Sequence, residues 1–563
     1  MSEKLCRATV KRGYANVGGD RGEMVKVLVS DPLAEAGVTI LRAGADVEVR
    51  TGLPREELLA ILPAYDALIV RSETKVTGEV LAAGTNLRVV TRAGVGTDNI
   101  DVAAATERGI LVLNTPGPNS IAAAEHTLAV TLSLLRHVAR ADASLRAGKW
   151  ERKVFVGSEL YRKTLGVVGL GRIGREVTSR ARAFGMDVLI YDPYVSAAAA
   201  EALGATTAPL DTLLERADVV TLHLPLLPET RGILGVRELA RMKQGAFLIN
   251  CARGGLVDEV ALYDALVRGH LGGAGLDVFE KEPPTGSPLL TLPNVVVTPH
   301  LAASSAEAQE GVGIVAAETT LAALRGELVD NAVNLPGLAP GALAALKPWL
   351  DLAERLGQLL SATIDGPAEA IELGFKGALA GINPTIIGSA ALAGFLSSAI
   401  PEQVTLINAR LLAARRGIQV SERFTAARPD EPLTVELRVT AAGEQGHTHA
   451  ATGGVDGDGR ERVLALDGFA VSLDLGGKLL FISHQDQPGR IGAVGTLLGA
   501  RGVNIAAMQV GRQRVRGQAV MIVTLDDPLP RAILEEIRGI EGLRHAHYVD
   551  LGEPPVPIPI DEN

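Results

Sequence analysis

The chain has 563 residues, 47% of them hydrophobic and 21% charged, and a formal net charge of −10; this length exceeds one core and points to about three or four domains. The acidic balance, with no basic stretch interleaved with aromatics, argues against a nucleic-acid role, and two cysteines, Cys6 and Cys251, are too few for a disulfide framework. No apolar run reaches the roughly 18 residues of a membrane span, and the first residues lack the apolar segment of a secretory signal, so a cytoplasmic location without membrane contact is expected.

Residues 1–23 are polar and aperiodic, and Met24 stands directly before V-K-V-L-V-S. They are read as a loose extension, or as lying ahead of the true start. From residue 25, the short apolar runs VKVLV, DVEV, ALIV, RVVT and ILVL alternate with helical stretches, the pattern of a buried parallel sheet. Residues 125–148 are expected to form one long helix with an apolar first half. A second alternating series follows: LGVVG, DVLIYD, DVVTLHL, GAFLINC, GAGLDV and NVVVTPH. Two such series in tandem predict two doubly wound α/β domains. Their spans are residues 25–124, completed by a returning segment at 303–335, and residues 125–302.

L-P-G-L-A-P-G, residues 335–341, reads as a linker. Residues 338–474 mix helices with strands such as AIELGF and LTVELRVTA, with a Gly-rich polar loop expected at 452–459. Residues 478–552 read strand, helix, strand, strand, helix, strand, the βαββαβ ferredoxin-like plan. The fold class is therefore α/β for the two doubly wound domains, then an α+β domain and a ferredoxin-like unit.

The cofactor signal is G-L-G-R-I-G at residues 169–174, between the strand LGVV and a helix. Gly169 permits the tight turn, Gly171 lets the backbone approach a pyrophosphate, and Gly174 allows the helix to pack on the sheet. Asp192 ends the next strand, where a carboxylate accepts from ribose hydroxyls and repels a 2′-phosphate, favouring NAD over NADP. His223 also ends a strand of this series and is read as lining the nicotinamide side.

Three segments at the ends of later strands carry ionisable groups: N-C-A-R-G-G-L-V-D, D-V-F-E-K-E-P-P and T-P-H-L-A-A-S. Arg253 offers a planar fork to a substrate carboxylate. His300 can take a hydroxyl proton as a hydride leaves the same carbon, and Glu282 can orient the imidazole. No metal site is expected.

These segments, with G-L-G-R-I-G, resemble the D-isomer-specific 2-hydroxyacid dehydrogenases, and the resemblance assigns Arg253, Glu282 and His300 the same roles. It further implies that Arg172, Ile173, Asp192, Cys251, Ala252, Asp277 and His300 contact or neighbour NAD, and that Thr74 reaches the cofactor from the other domain. A-G-V-G-T-D-N-I-D, residues 93–101, is similar to the family's substrate loop, whose N–H groups at Val95 and Gly96 meet the carboxylate. Ser72 and Asn99 are counted with this site.

The remaining chain narrows the family. I-N-A-R-L-L-A-A-R-R-G-I-Q-V-S-E-R resembles the intervening domain of the long-form D-3-phosphoglycerate dehydrogenases, and the closing βαββαβ unit resembles an ACT domain, a small-molecule sensor. The implied substrate is 3-phospho-D-glycerate, with Arg71 and Lys75 as candidates for its phosphate. Lys149 and Arg152, flanking Trp150, could complete the site of a neighbouring copy in a homodimer or homotetramer. In S-H-Q-D-Q-P-G-R the resemblance implies an L-serine effector site. There Asp486 takes the amino group and Asn504 supplies an amide, with His484 beside them; Gln487 stands where an arginine is common. Two other readings stay open: a different 2-hydroxyacid dehydrogenase, and a non-enzymatic NAD-sensing corepressor-like protein.

Overall fold

The computed structural model describes residues 24–335, 343–364, 366–377, 383–425, 433–442, 447–457 and 459–552. The expected linker thus lies outside the described residues beyond Leu335, as does the N-terminal extension. Four sheets organise the described residues.

The first sheet runs in the order Asp46–Val49, Lys26–Val29, Ala67–Val70, Val89–Arg92, Leu111–Asn114, with every pairing parallel. Ala67–Val70 is buried along its whole length, as a strand covered on both faces must be. The helix Ala306–Leu324, far along the chain, returns to this sheet. Thr320 exchanges a hydroxyl hydrogen bond of 2.6 Å with Thr91 on the fourth strand, and Gly313 meets Gly37 of the helix Glu35–Gly44. A Cβ on Gly37 would collide with the Gly313 backbone, so the two helices cross where neither has a side chain.

The second sheet has the order Val295–Val297, Gly273–Leu276, Phe247–Asn250, Val219–Leu222, Thr164–Val168, Asp187–Tyr191, Thr206–Thr207, again all parallel. Strand order reverses at Thr164–Val168, the kind of switch point where such sheets bind ligands at their carboxyl ends. The single helix expected at 125–148 is instead two, Ser120–Leu135 and Val138–Arg146, broken at His137 with φ 55°. Only the apolar first half has a sheet to cover: Val130 fills the space beside Gly275. The second helix buries none of its residues and turns away.

The third sheet, Gln419–Thr425, Ala368–Lys376, Thr434–Ala441, Thr448–Val455, Glu461–Leu466, Phe469–Asp474, is antiparallel except for its first pair. The helices Leu343–Thr363 and Pro384–Ala399 contribute to its core. The loop expected at 452–459 begins as strand, because Thr452 and Gly453 pair on both sides and Gly454 and Val455 pair with Arg462 and Glu461. Gly453 is there for a packing reason, since the Leu352 side chain fills the space a Cβ would take.

The fourth sheet, Ile505–Arg512, Gln518–Leu525, Lys478–Gln485, Leu543–Asp550, is wholly antiparallel. With the helices Arg490–Ala500 and Arg531–Arg538 it gives the expected βαββαβ order. Leu479, Phe481, Val520, Ile522 and Val549 join one buried cluster with the third-sheet strands and helices, so the last two units share a core. No helix among the described residues is long and apolar enough to cross a membrane.

Candidate active site

The Gly-rich turn closes Thr164–Val168 and opens the helix Arg172–Ala183. Gly169 has φ 98°, and a Cβ on it would strike the His223 carbonyl; on Gly174 it would strike the Gly169 carbonyl. Around Gly171 nothing lies within 4 Å of where a Cβ would be. That open side faces the helix N-terminus, whose free N–H groups suit a pyrophosphate. Asp192 stands at the end of the neighbouring strand and accepts from the Leu170 N–H at 2.8 Å and the Tyr194 N–H at 3.0 Å. The turn and its carboxylate therefore fit a dinucleotide.

Arg172 donates to the Pro116 carbonyl at 2.6 Å, tying this helix to the segment entering from the first sheet. Ile173 packs into the core beside the turn. His223 lies 3.0 Å from the Thr221 hydroxyl, and burial pushes its pKa down to about 4, so the ring is neutral near pH 7. Cys251 and Ala252 are buried; burial first, then Asp277, pushes the Cys251 thiol up to about 12, so it is no nucleophile.

His300 and Glu282 meet. Nδ1 of His300 lies 2.9 Å from Glu282 Oε2, and the other carboxylate oxygen accepts from the Phe279 N–H at 3.1 Å. Burial alone would raise the Glu282 carboxyl, but the hydrogen bonds from His300 and Phe279 outweigh it and hold it below its ordinary value. His300 is half exposed and sits at φ 56°, which few non-glycine residues adopt. Asp277 enforces that conformation. Its carbonyl accepts the His300 N–H at 2.9 Å, and its fully buried carboxylate accepts the Leu301 and Ala302 N–H groups at 2.7 and 2.9 Å and the Thr298 hydroxyl at 2.5 Å. His126 Nε2 lies 3.3 Å from the same carboxylate. Asp277 was expected to neighbour the cofactor; its carboxylate oxygens are spent on the His300 loop.

Arg253 follows the strand Phe247–Asn250 and crosses to the first unit. Its Nε donates to Asp98 Oδ2 at 3.1 Å and its Nη1 to the Ala252 carbonyl at 2.7 Å. A Cβ on Gly96 would overlap the Arg253 guanidinium, so the 93–101 loop and this arginine are in contact. Val95 is half-buried, its carbonyl taken by the Asn114 amide at 2.7 Å. Arg71 and Arg92 lie close enough to complete a cationic group. Burial first, then the charges of Arg253 and Arg71, pushes Arg92 down to about 10, and its Nε finds no acceptor among the described residues.

The 71–74 loop is clamped from two sides. Asp31, 2% exposed, accepts the Arg71, Glu73 and Thr74 N–H groups and the Thr74 hydroxyl. Asn99 donates to the Arg71 and Thr74 carbonyls at 2.9 and 2.7 Å. Thr74 and Asn99, expected at cofactor and substrate, use these groups to shape the loop; Ser72 is exposed on it. Arg92, Asp31 and Asp98 were not singled out from the sequence.

The expected effector set does not assemble within one chain. Asp486 accepts from Arg516 N–H at 3.0 Å and Arg512 Nη1 at 3.2 Å, and His484 is buried beside it, its Nε2 without a partner among the described residues. Asn504 bonds Asp526 instead. It precedes Ile505, which pairs with Leu525 and not with the His484 end of that strand. The two ends of such eight-residue strands are roughly 25 Å apart.

Comparison with known proteins follows this layout. Residues 128–302 match the D-isomer specific 2-hydroxyacid dehydrogenase NAD binding domain, residues 345–467 the D-3-phosphoglycerate dehydrogenase intervening domain, and residues 478–542 the ACT domain. The chain is 46% identical over 531 residues to the D-3-phosphoglycerate dehydrogenase of Synechocystis, covering 94% of this chain and 95% of that one. It is 45% identical to that of Methanocaldococcus jannaschii, covering 94% and 100%. Among solved structures, the TT0316 protein of Thermus thermophilus matches with a TM-score of 0.52 at 42% identity, covering 55% of this chain and all of that one. A D-lactate dehydrogenase of Aquifex aeolicus, complexed with NAD and lactic acid, matches with a TM-score of 0.51 at 30% identity over the same shares.

Proposed function

The chain belongs to the D-3-phosphoglycerate dehydrogenase family, and from that premise we propose how its own residues carry out the oxidation of 3-phospho-D-glycerate to 3-phosphooxypyruvate with NAD, the first step of the phosphorylated route to L-serine. Bound at the Gly169–Gly174 turn and Asp192, NAD supplies the hydride acceptor. Everything else falls to the cleft between the first two sheets.

The observation that carries the mechanism is the His300–Glu282 pair at 2.9 Å. With Nδ1 committed to Glu282, Nε2 is the nitrogen that takes the C2 hydroxyl proton as the hydride departs. The carboxylate stabilises the imidazolium that forms. Arg253 and the N–H groups around Val95 and Gly96 grip the substrate carboxylate, fixing which C–H bond faces the nicotinamide. His223, neutral and half-buried on the cofactor side, adds no charge there.

Arg92 and Arg71 receive the phosphate. A buried guanidinium repelled by two others is stabilised when a dianion arrives, and this selects a phosphorylated acid over glycerate or lactate. The test is steady-state turnover of 3-phosphoglycerate, glycerate and lactate by the parent and by Arg92→Ala. The parent should prefer 3-phosphoglycerate strongly, and the variant should raise its KM about 100-fold, the cost of one desolvated charge-assisted contact. Equal parental turnover of the unphosphorylated acids would sink the substrate assignment; an unchanged KM in the variant would remove Arg92 from the phosphate site.

The chain is also read as a homo-oligomer with an L-serine effector. The helix Val138–Arg146 and the segment after it expose Val138, Leu145, Trp150, Val154 and Val156, an apolar arm suited to a second copy. At the other end, the strand Ile505–Arg512 is an edge strand with Ala506, Ala507 and Val510 exposed. Two such edges laid antiparallel would bring Asp486 toward Asn504 of the partner subunit, and serine then bridges copies. Serine titrated into turnover, with sedimentation velocity alongside, should inhibit the parent and leave Asp486→Ala at least tenfold less sensitive. Indifference of the parent to serine, or a monomer at assay concentration, would remove the proposal.

A further inference from the structure

Asp98 lies on the exposed part of the substrate loop, with a side chain 60% exposed, yet it takes one of the directed contacts of the active site. Its Oδ2 accepts from Arg253 Nε at 3.1 Å, while the Ala252 carbonyl accepts from Nη1 at 2.7 Å. Two acceptors on different nitrogens fix the guanidinium plane. The N–H groups of Nη2 and the second of Nη1 then form the open edge of the fork. Gly96, two residues before Asp98, lies against that same guanidinium.

The two partners come from different sheets. Arg253 follows Phe247–Asn250 of the second sheet, and Asp98 follows Val89–Arg92 of the first. The contact therefore spans the cleft. Asp98 is also one of two carboxylates whose charge offsets the crowding of Arg71, Arg92 and Arg253; the other, Asp31, is committed to backbone N–H groups.

An ion pair this exposed contributes little to stability, so its value has to lie in geometry. We propose that Asp98 is a positioning residue. It holds Arg253 so that its open edge and the loop's N–H groups converge on one substrate carboxylate, and it joins the two domains in the substrate-ready arrangement. Nothing in this role requires Asp98 to touch the substrate. The inference deepens the reading of the active site given above and rests on Arg253 as the carboxylate's partner.

The test compares the parent, Asp98→Ala and Asp98→Asn in steady-state kinetics with 3-phosphoglycerate and NAD, together with thermal unfolding. Asp98→Ala should raise the KM for 3-phosphoglycerate about tenfold, the loss of one charge-assisted hydrogen bond. Turnover should fall less than about threefold, with the KM for NAD and the melting temperature unchanged. Asp98→Asn keeps an acceptor oxygen and should recover part of the loss. A substrate KM within twofold of the parent in Asp98→Ala would overturn the proposal, as would parallel shifts in the NAD KM and the melting temperature, which mark a structural role. Should the parent prefer another 2-hydroxy acid, the substrate assignment fails by itself, and the same comparison made with that acid decides the role of Asp98.

Discussion

Replacing His300 with asparagine lowers turnover of 3-phosphoglycerate by about 10³-fold to 10⁴-fold, while the affinity for NAD stays within about twofold of the parent. The substitution is chosen for what it preserves. Asparagine tolerates the left-handed backbone at φ 56° better than most residues, and its amide can still donate to Glu282. The Asp277 bonds to the Leu301 and Ala302 N–H groups are untouched. What disappears is the ring nitrogen not committed to Glu282, the acceptor proposed for the hydroxyl proton. Kinetics with NAD fluorescence titration separate the two effects; full activity in the variant would end the assignment of His300 as the base.

The pH behaviour of the pair has a definite sign. The Glu282 carboxyl is held below its ordinary value of 4.5. Its support of His300 is therefore complete above that value and is lost as pH falls through the lowered one. Near neutral pH the carboxylate is fully ionised and does not contribute to any change in activity.

The parallel sheets and the βαββαβ unit were readable because strands such as Ala67–Val70 are continuous apolar runs, which only a doubly covered sheet accommodates. The segments carrying Arg253, Glu282 and His300 were readable because each residue follows a strand end. Asp98 lies in the 93–101 loop, whose Gly-rich pattern points to its backbone N–H groups and not to this carboxylate. Its partner lies 155 positions away, on the other sheet. Arg92 ends a strand whose preceding residues are all buried, and nothing in the local pattern distinguishes a guanidinium turned into a cleft from one in solvent. The helix break at His137 escaped for a related reason. Helical spacing continues through it, and the break follows from the absence of a covering surface beyond Leu135.

The ACT-like unit shows the limit most clearly. Asp486 and Asn504 are near in sequence, with one helix between them, and family resemblance placed them in one site. Strand register separates them, because Ile505 pairs with Leu525 while His484 pairs with Ala519 at the far end. Periodicity along the chain does not report which end of a neighbouring strand a residue meets, so this separation was not legible in the sequence.

Asp277→Asn should cost more stability than any other substitution considered for the active site, and it should do so without removing a group that meets substrate. The parent carboxylate is 0% exposed and accepts from the Thr298 hydroxyl, from two consecutive backbone N–H groups and from His126. Burial would raise its pKa, but those donors more than compensate and leave it lowered. An amide in its place turns N–H groups toward donors that need an acceptor. One or two buried polar groups then go unpaired, at a cost of about 3 kcal/mol. For a unit of this size that corresponds to a loss of roughly 10 °C in melting temperature. The loop freed by the change carries His300, whose backbone sits at positive φ only while Asp277 holds it. Turnover should therefore fall about 100-fold, because the base no longer occupies a single position against the hydroxyl. Thermal unfolding and kcat measured on the same preparation provide the check. A variant that melts with the parent would show that the donors find other acceptors, and one that loses stability but keeps full turnover would separate the His300 loop from its anchor.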